Sequence, residues 1–273
     1  MRLETNGASL NVEVQGSGPP LMLLHGFTGC GRTWAPFLGP WAGFKTIAVD
    51  LLGHGKSDSP SEAGRYDMQA CLDDLGAVLD AIGVEKPALL GYSLGGRIAL
   101  NFALRYPDRL SLLILESASP GIADPAERAR RRQEDEELAV RIESDGIEAF
   151  VDYWQRLPLW ASQAIQPLAR REALRRQRLQ NSAAGLANSL RGVGAGACVP
   201  LFERLSEIEV PILAIAGVLD ARYVALARSI CHSVPHADLE IVENAGHATH
   251  FEQPEVFGKR VRAFLVSALA TKI

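Results

Sequence analysis

Ser93 lies in the run Gly91-Tyr92-Ser93-Leu94-Gly95, between the apolar stretch 88–90 and a helix-forming stretch from Gly96 to Tyr106. A serine on a tight strand-to-helix turn has its hydroxyl lifted clear of the sheet and set at a helix N-terminus. Small neighbours let the backbone bend that sharply. The hydroxyl becomes a base or nucleophile only when an imidazole, itself oriented by a carboxylate, takes its proton. After such a turn the acid is expected beyond a later strand and the histidine beyond the last one. Asp220 follows the apolar run Ile212 to Gly217, and His247 follows Leu239-Glu240-Ile241-Val242, with Gly246 allowing a tight return.

Each assignment has a competitor. Asp220 is also suited to cap a helix running from Tyr223. Glu116, after the run Leu112 to Leu115, is a rival acid, and the strand-loop context favours Asp220. His250 is expected to pack or line the pocket. His25 and His54, in Gly-flanked turns, read as structural.

Acyl or enolate chemistry at Ser93 needs two backbone N–H groups aimed at one point. Leu94, next to the serine, supplies one. Phe27 of His25-Gly26-Phe27 supplies the other, and its ring would form a wall. Arg97 lies four residues beyond Ser93, hence on the same helix face near the pocket floor. An unpaired charge there would cost much free energy unless an anionic ligand meets it. The segment further on carries Arg128, Arg130, Arg131, Arg132, Arg170, Arg171, Arg175, Arg176, Arg178 and Arg191. Most are expected on solvated faces beside Glu134, Asp135, Glu136 and Glu137, with a few pointing down. Guanidinium groups at a site suit a substrate with several carboxylates.

These residues need a scaffold. Apolar runs at 20–24, 46–49, 88–90, 112–115, 212–216 and 239–242 read as strands covered on both faces. Between them, Tyr66 to Ile82 has helical spacing, so the pattern is an α/β chain with a mostly parallel sheet and helices on both faces. From about Ser119 to Pro200 no strand is evident and the rhythm is helical. The expected organisation is a core over 1–118, a helical cap insertion over 119–200 and a second core part over 201–273. Together with the Ser, acid, His order, this is the α/β-hydrolase fold.

Composition narrows the function. The chain has 273 residues and a formal net charge of -4. That balance argues against nucleic acid as partner. No apolar stretch is long enough to span a bilayer, and no signal sequence is evident. Cys30, Cys71, Cys198 and Cys231 are scattered and the histidines do not cluster, so no metal, no cofactor and a cytoplasmic location are expected. Oligomeric state is left open.

The chain resembles the 2-succinyl-6-hydroxy-2,4-cyclohexadiene-1-carboxylate synthases, lyases of menaquinone (vitamin K2) biosynthesis. The resemblance runs over nearly the whole sequence. It is carried by the elbow through Gly96 and Arg97, by Ser119-Pro120-Gly121-Ile122, and by 127–135 with its arginine run. Trp154, Pro158, 178–181 and 185–192 complete it. It implies elimination of pyruvate after removal of a proton α to a succinyl ketone. Ser93, relayed by His247 and Asp220, would be the base, and Phe27 and Leu94 would hold the enolate. It further implies that Arg97, Arg131 and Arg178 bind carboxylates and that Tyr92 and Trp154 shape the succinyl end. Two other readings remain: a serine hydrolase of esters or C–C bonds, and a non-catalytic small-ligand binding protein.

Overall fold

The computed structural model describes residues 1–270, with side chains to residue 268. Eight strands form one sheet in the order β1-β2-β4-β3-β5-β6-β7-β8. They are β1 (Arg2–Thr5), β2 (Ala8–Gln15), β3 (Pro20–Leu24), β4 (Lys45–Val49), β5 (Ala88–Tyr92), β6 (Leu112–Glu116), β7 (Ile212–Gly217) and β8 (Ala237–Val242). The six apolar runs became β3 to β8, and these six are parallel. β1 and β2 are additional and antiparallel. Their physics differs: β2 alternates Ala8, Leu10, Val12 and Val14 with polar residues, as a strand at the margin of a sheet does, so it is not a continuous apolar run.

Alternate residues of one strand feed opposite faces. Met22 and Leu24 pack with Leu89, Leu113 and Leu115 under two helices, α1 (Met68–Ala81) and α2 (Leu94–Arg105). Leu21 and Leu23 pack with Leu90, Ile114 and Ile215 on the other face, against Trp34, Phe37 and Trp41 and the last helix. α1 starts where Asp67 accepts a hydrogen bond from the Ala70 amide at 2.7 Å. This is the usual side-chain cap of a helix N-terminus.

Between β6 and β7 the described chain has no strand. It runs through α3 (Pro125–Trp154), a 3-10 segment (Pro158–Ile165), α4 (Leu168–Arg178) and α5 (Ala183–Val193). α3 is broken at Gly146, whose φ of 79° and ψ of 170° are not helical. α3 and α5 share a core of Ala139, Ile142, Phe150, Leu186 and Leu190, and Phe27 and Trp154 pack against it. After β7 come α6 (Ala221–Ser233), then β8, the short α7 (Thr249–Glu252) and α8 (Pro254–Ala270). No helix among the described residues is long and apolar enough to cross a membrane.

Candidate active site

The site lies at the C-terminal ends of the parallel strands. Ser93 follows β5 with φ of 51° and ψ of -104°, a left-handed conformation rare for a residue with a side chain. The turn is pinned because the Ser93 amide donates to the Glu116 carbonyl at 2.8 Å. Glycine is required on either side. A Cβ on Gly91 would strike the Gly95 carbonyl, and one on Gly95 would come within 2.5 Å of the Leu24 carbonyl oxygen.

His247 stands over Ser93. Its Nε2 is 2.9 Å from the Ser93 hydroxyl, and its Nδ1 is 2.8 Å from Oδ2 of Asp220. Donation from Nδ1 to the carboxylate leaves Nε2 to accept the serine proton. His247 is only 2% exposed. Its ring is held edge-on by Tyr223 at 4.5 Å and by Trp160 at 5.5 Å. Asp220 also caps α6: its Oδ1 accepts from the Tyr223 amide at 3.3 Å. One carboxylate thus meets both the histidine and the helix start, one oxygen each.

The rival acid Glu116 is fully buried and occupied elsewhere. It accepts from the Thr249 hydroxyl at 2.6 Å, from the His250 amide at 2.9 Å and from His250 Nδ1 at 2.9 Å. His25 and His54 sit in the core. The Leu51 amide donates to His25 Nε2 at 3.0 Å. Burial lowers the pKa of both rings, that of His54 to about 3.

Two cavities meet here. The smaller, about 120 Å³, contains Ser93, Leu94 and His247 with Phe27, Tyr92, Arg97, Arg131 and Trp154. The larger, about 420 Å³, shares Phe27, Tyr92 and Trp160 with the first and adds Arg178 and His250. The amides of Phe27 and Leu94 have no acceptor among the described residues, as an oxyanion hole requires.

The arginines divide by partner. Arg97, 7% exposed, donates through Nη1 to the Val193 carbonyl at 3.2 Å, and its buried Nε has no partner. Arg178, 5% exposed, lies over the Trp160 ring at 5.2 Å and its Nε is also unpartnered. Burial pushes its pKa down to about 10. Neither forms an ion pair among the described residues. Arg131 differs: its Nε is 2.7 Å from Asp135 while it lines the serine cavity. On the outer faces Arg130 pairs with Glu134, and Arg191 with Glu136 and Glu143. Tyr92 is buried, which raises its phenol pKa well above the ordinary value. Trp154 packs edge-on against Phe27 at 5.3 Å with its indole N–H unpartnered.

Residues 19–254 match the alpha/beta hydrolase fold family. A Bacillus subtilis protein named as a candidate 2-succinyl-6-hydroxy-2,4-cyclohexadiene-1-carboxylate synthase is 43% identical over 247 residues, covering 90% of each chain. The chain belongs to the α/β-hydrolase family, among its 2-succinyl-6-hydroxy-2,4-cyclohexadiene-1-carboxylate synthases. The synthase of Pectobacterium atrosepticum is 34% identical over 249 residues, covering 90% of this chain and 94% of its own. Among solved structures, MenH from S. aureus superposes with a TM-score of 0.90 at 33% identity, covering 95% of this chain and 98% of its own.

Three supporting residues of this family member escaped sequence reasoning. Glu252 accepts from the amides on both sides of His247, Gly246 at 2.7 Å and Ala248 at 3.2 Å. Tyr223 and Trp160 fix the imidazole plane. The signal for Glu252 was an acidic residue five positions past the histidine, close enough in the chain to reach back to the His247 loop. Tyr223 sits one helical turn after the capping Asp220. Trp160 lies in the short 3-10 segment Pro158–Ile165 and left no such signal.

Proposed function

We propose that this protein is a carbon–oxygen lyase of menaquinone biosynthesis. It eliminates pyruvate from 2-succinyl-5-enolpyruvyl-6-hydroxy-3-cyclohexene-1-carboxylate to give 2-succinyl-6-hydroxy-2,4-cyclohexadiene-1-carboxylate. The observation that carries this reading is the pair of buried guanidinium groups without acidic partners among the described residues, Arg97 in the serine cavity and Arg178 in the adjoining one. A buried charge left unpaired costs several kcal/mol, so these groups are stable where a polycarboxylate meets them.

Ser93 Oγ takes the proton α to the succinyl ketone while its own proton passes to His247 Nε2, and Asp220 stabilises the resulting imidazolium. The enolate oxygen accepts from the Phe27 and Leu94 amides. As the ketone re-forms, the ring double bond shifts and a second ring C=C is created; the C–O electrons leave with the enolpyruvyl group as an enolate, which takes up one proton to become pyruvate while the His247 imidazolium gives one up, so that no net proton is gained or lost. Arg97, Arg131 and Arg178 bind the carboxylates, and Tyr92 and Trp154 enclose the succinyl arm. The helical segment between β6 and β7 serves as the cap that excludes water. No cofactor takes part. Four cysteines without a disulfide suit a reducing compartment, and the enzyme acts in the cytoplasm on a small molecule.

A hydrolase would draw on the same triad, so the test must separate the two. Pyruvate and the absorbance of the conjugated diene are followed with the tricarboxylate, and hydrolysis of a neutral aryl ester is followed in parallel. Stoichiometric pyruvate and diene, well above any ester turnover, is the expected result. Ester turnover with no pyruvate overturns the lyase.

A further inference from the structure

The larger cavity holds a second imidazole that the triad does not use. His250 lines it, and the ring is fixed from behind. Both oxygens of Glu116 lie 2.9 Å from His250 Nδ1, and one also accepts the His250 amide. Glu116 is completely buried, and among the described residues its only other side-chain partner is the Thr249 hydroxyl. A buried carboxylate committed in this way dictates which edge of the ring faces inward. Nε2 is then on the outer edge. It makes no hydrogen bond among the described residues and is not sealed in the core. The ring plane is set by Tyr92, edge-on at 4.6 Å, and by Trp34 at 5.3 Å.

The surroundings of that edge have one sign of charge. Arg32, Arg170 and Arg178 line the cavity, and no aspartate or glutamate does among the described residues. Arg178 is buried there with Nε unpartnered. The cavity is continuous in its walls with the serine site through Phe27, Tyr92 and Trp160. The serine cavity alone, about 120 Å³, is small for a substrate with three arms, whereas the neighbour is about 420 Å³.

We propose that His250, locked by Glu116, is a further substrate-binding residue whose Nε2 hydrogen-bonds a carboxylate arm reaching from Ser93 into the larger cavity beside Arg178. The ring donates from both nitrogens in the loaded site, Nδ1 to Glu116 and Nε2 to the arm. This inference rests on the lyase reading for the identity of the substrate, but the anion site itself does not.

The test uses the full chain and two probes. His250→Phe keeps the ring volume against Tyr92 and Trp34 but strands Glu116, so Glu116→Gln/His250→Phe is made as well. Glutamine still accepts from Thr249 and from the amide of residue 250. Glu116→Gln alone is the control for the neutralised carboxylate. With the tricarboxylate, the double variant is expected to raise KM at least tenfold while kcat changes less than threefold. Glu116→Gln alone should raise KM by less than the double variant does. The dissociation constant of succinate, measured by calorimetry, should weaken at least fivefold in the double variant. Unchanged KM and unchanged succinate affinity overturn the proposal, as does a collapse of kcat at constant KM, which would make the ring a support for the His247 loop. Native protein that releases no pyruvate defeats the lyase reading instead, and the succinate titration then decides the anion site by itself.

Discussion

The carboxylate of Asp220 divides its two oxygens between a histidine and a helix: Oδ2 lies 2.8 Å from His247 Nδ1, and Oδ1 accepts the Tyr223 amide that begins α6. Asparagine caps a helix about as well as aspartate, but it lacks the charge that stabilises an imidazolium. Asp220→Asn should therefore lose on the order of 10⁴-fold in kcat with stability nearly unchanged. Asp220→Ala should lose about 1 kcal/mol of stability in addition. Pyruvate-release kinetics and urea unfolding of the two variants check this, and equal kcat in Asp220→Asn and native protein would contradict it.

Glu252 grips the His247 loop from below, accepting from residues 246 and 248. Glu252→Gln keeps one acceptor but sets an NH₂ against the other amide. The expected outcome is a fall of about tenfold in kcat with KM little changed, and a loss of roughly 1–3 kcal/mol in stability for the amide left unpaired. Lowered stability with native kcat would assign Glu252 to the fold alone.

Arg97 has no acidic partner among the described residues and lines the serine cavity. Arg97→Ala should lower kcat/KM by about 2 kcal/mol or more, the scale of a charged hydrogen bond left unmade. Without bound anion the same variant should be no less stable than native, since an unpaired buried charge has been removed. An unaltered kcat/KM would place the guanidinium outside the substrate's reach.

His54 gives the stability a pH dependence. Burial lowers its pKa to about 3 in the folded chain, against 6.5 for the free side chain. Between these values the unfolded chain binds the extra proton, so stability is fully present above pH 6.5 and is lost as pH falls toward 3. The loss attributable to this ring is about 3 kcal/mol between pH 6.5 and pH 4. Unfolding free energies measured across that range should fall less steeply in His54→Gln than in native protein. Parallel slopes would contradict the assignment.

That Ser93, His247 and Asp220 meet was legible because the signals are local. A tight turn needs Gly91 and Gly95, a strand must precede Ser93, and the acid and histidine each follow an apolar run. Which carboxylate serves His247 is set by tertiary register. Glu116 and Ile215 are paired neighbours on β6 and β7, and that pairing fixes which strand end reaches His247 and which reaches His250. β2 escaped a reading based on continuous apolar runs because it alternates at the sheet margin. The rhythm of α4 likewise does not single out Arg178. Its depth comes from Trp160, whose ring it covers, while Arg171 and Arg176 on the same helix are exposed.

The central claim is that Ser93 acts as the base in a pyruvate-eliminating reaction. The most direct measurement is pyruvate release from the succinyl-enolpyruvyl cyclohexene tricarboxylate by native protein and by Ser93→Ala, with binding of the same compound to the variant measured by calorimetry. Release by the native protein, none above background by the variant, and nearly native affinity in the variant are the expected results. Normal release by Ser93→Ala would contradict the claim.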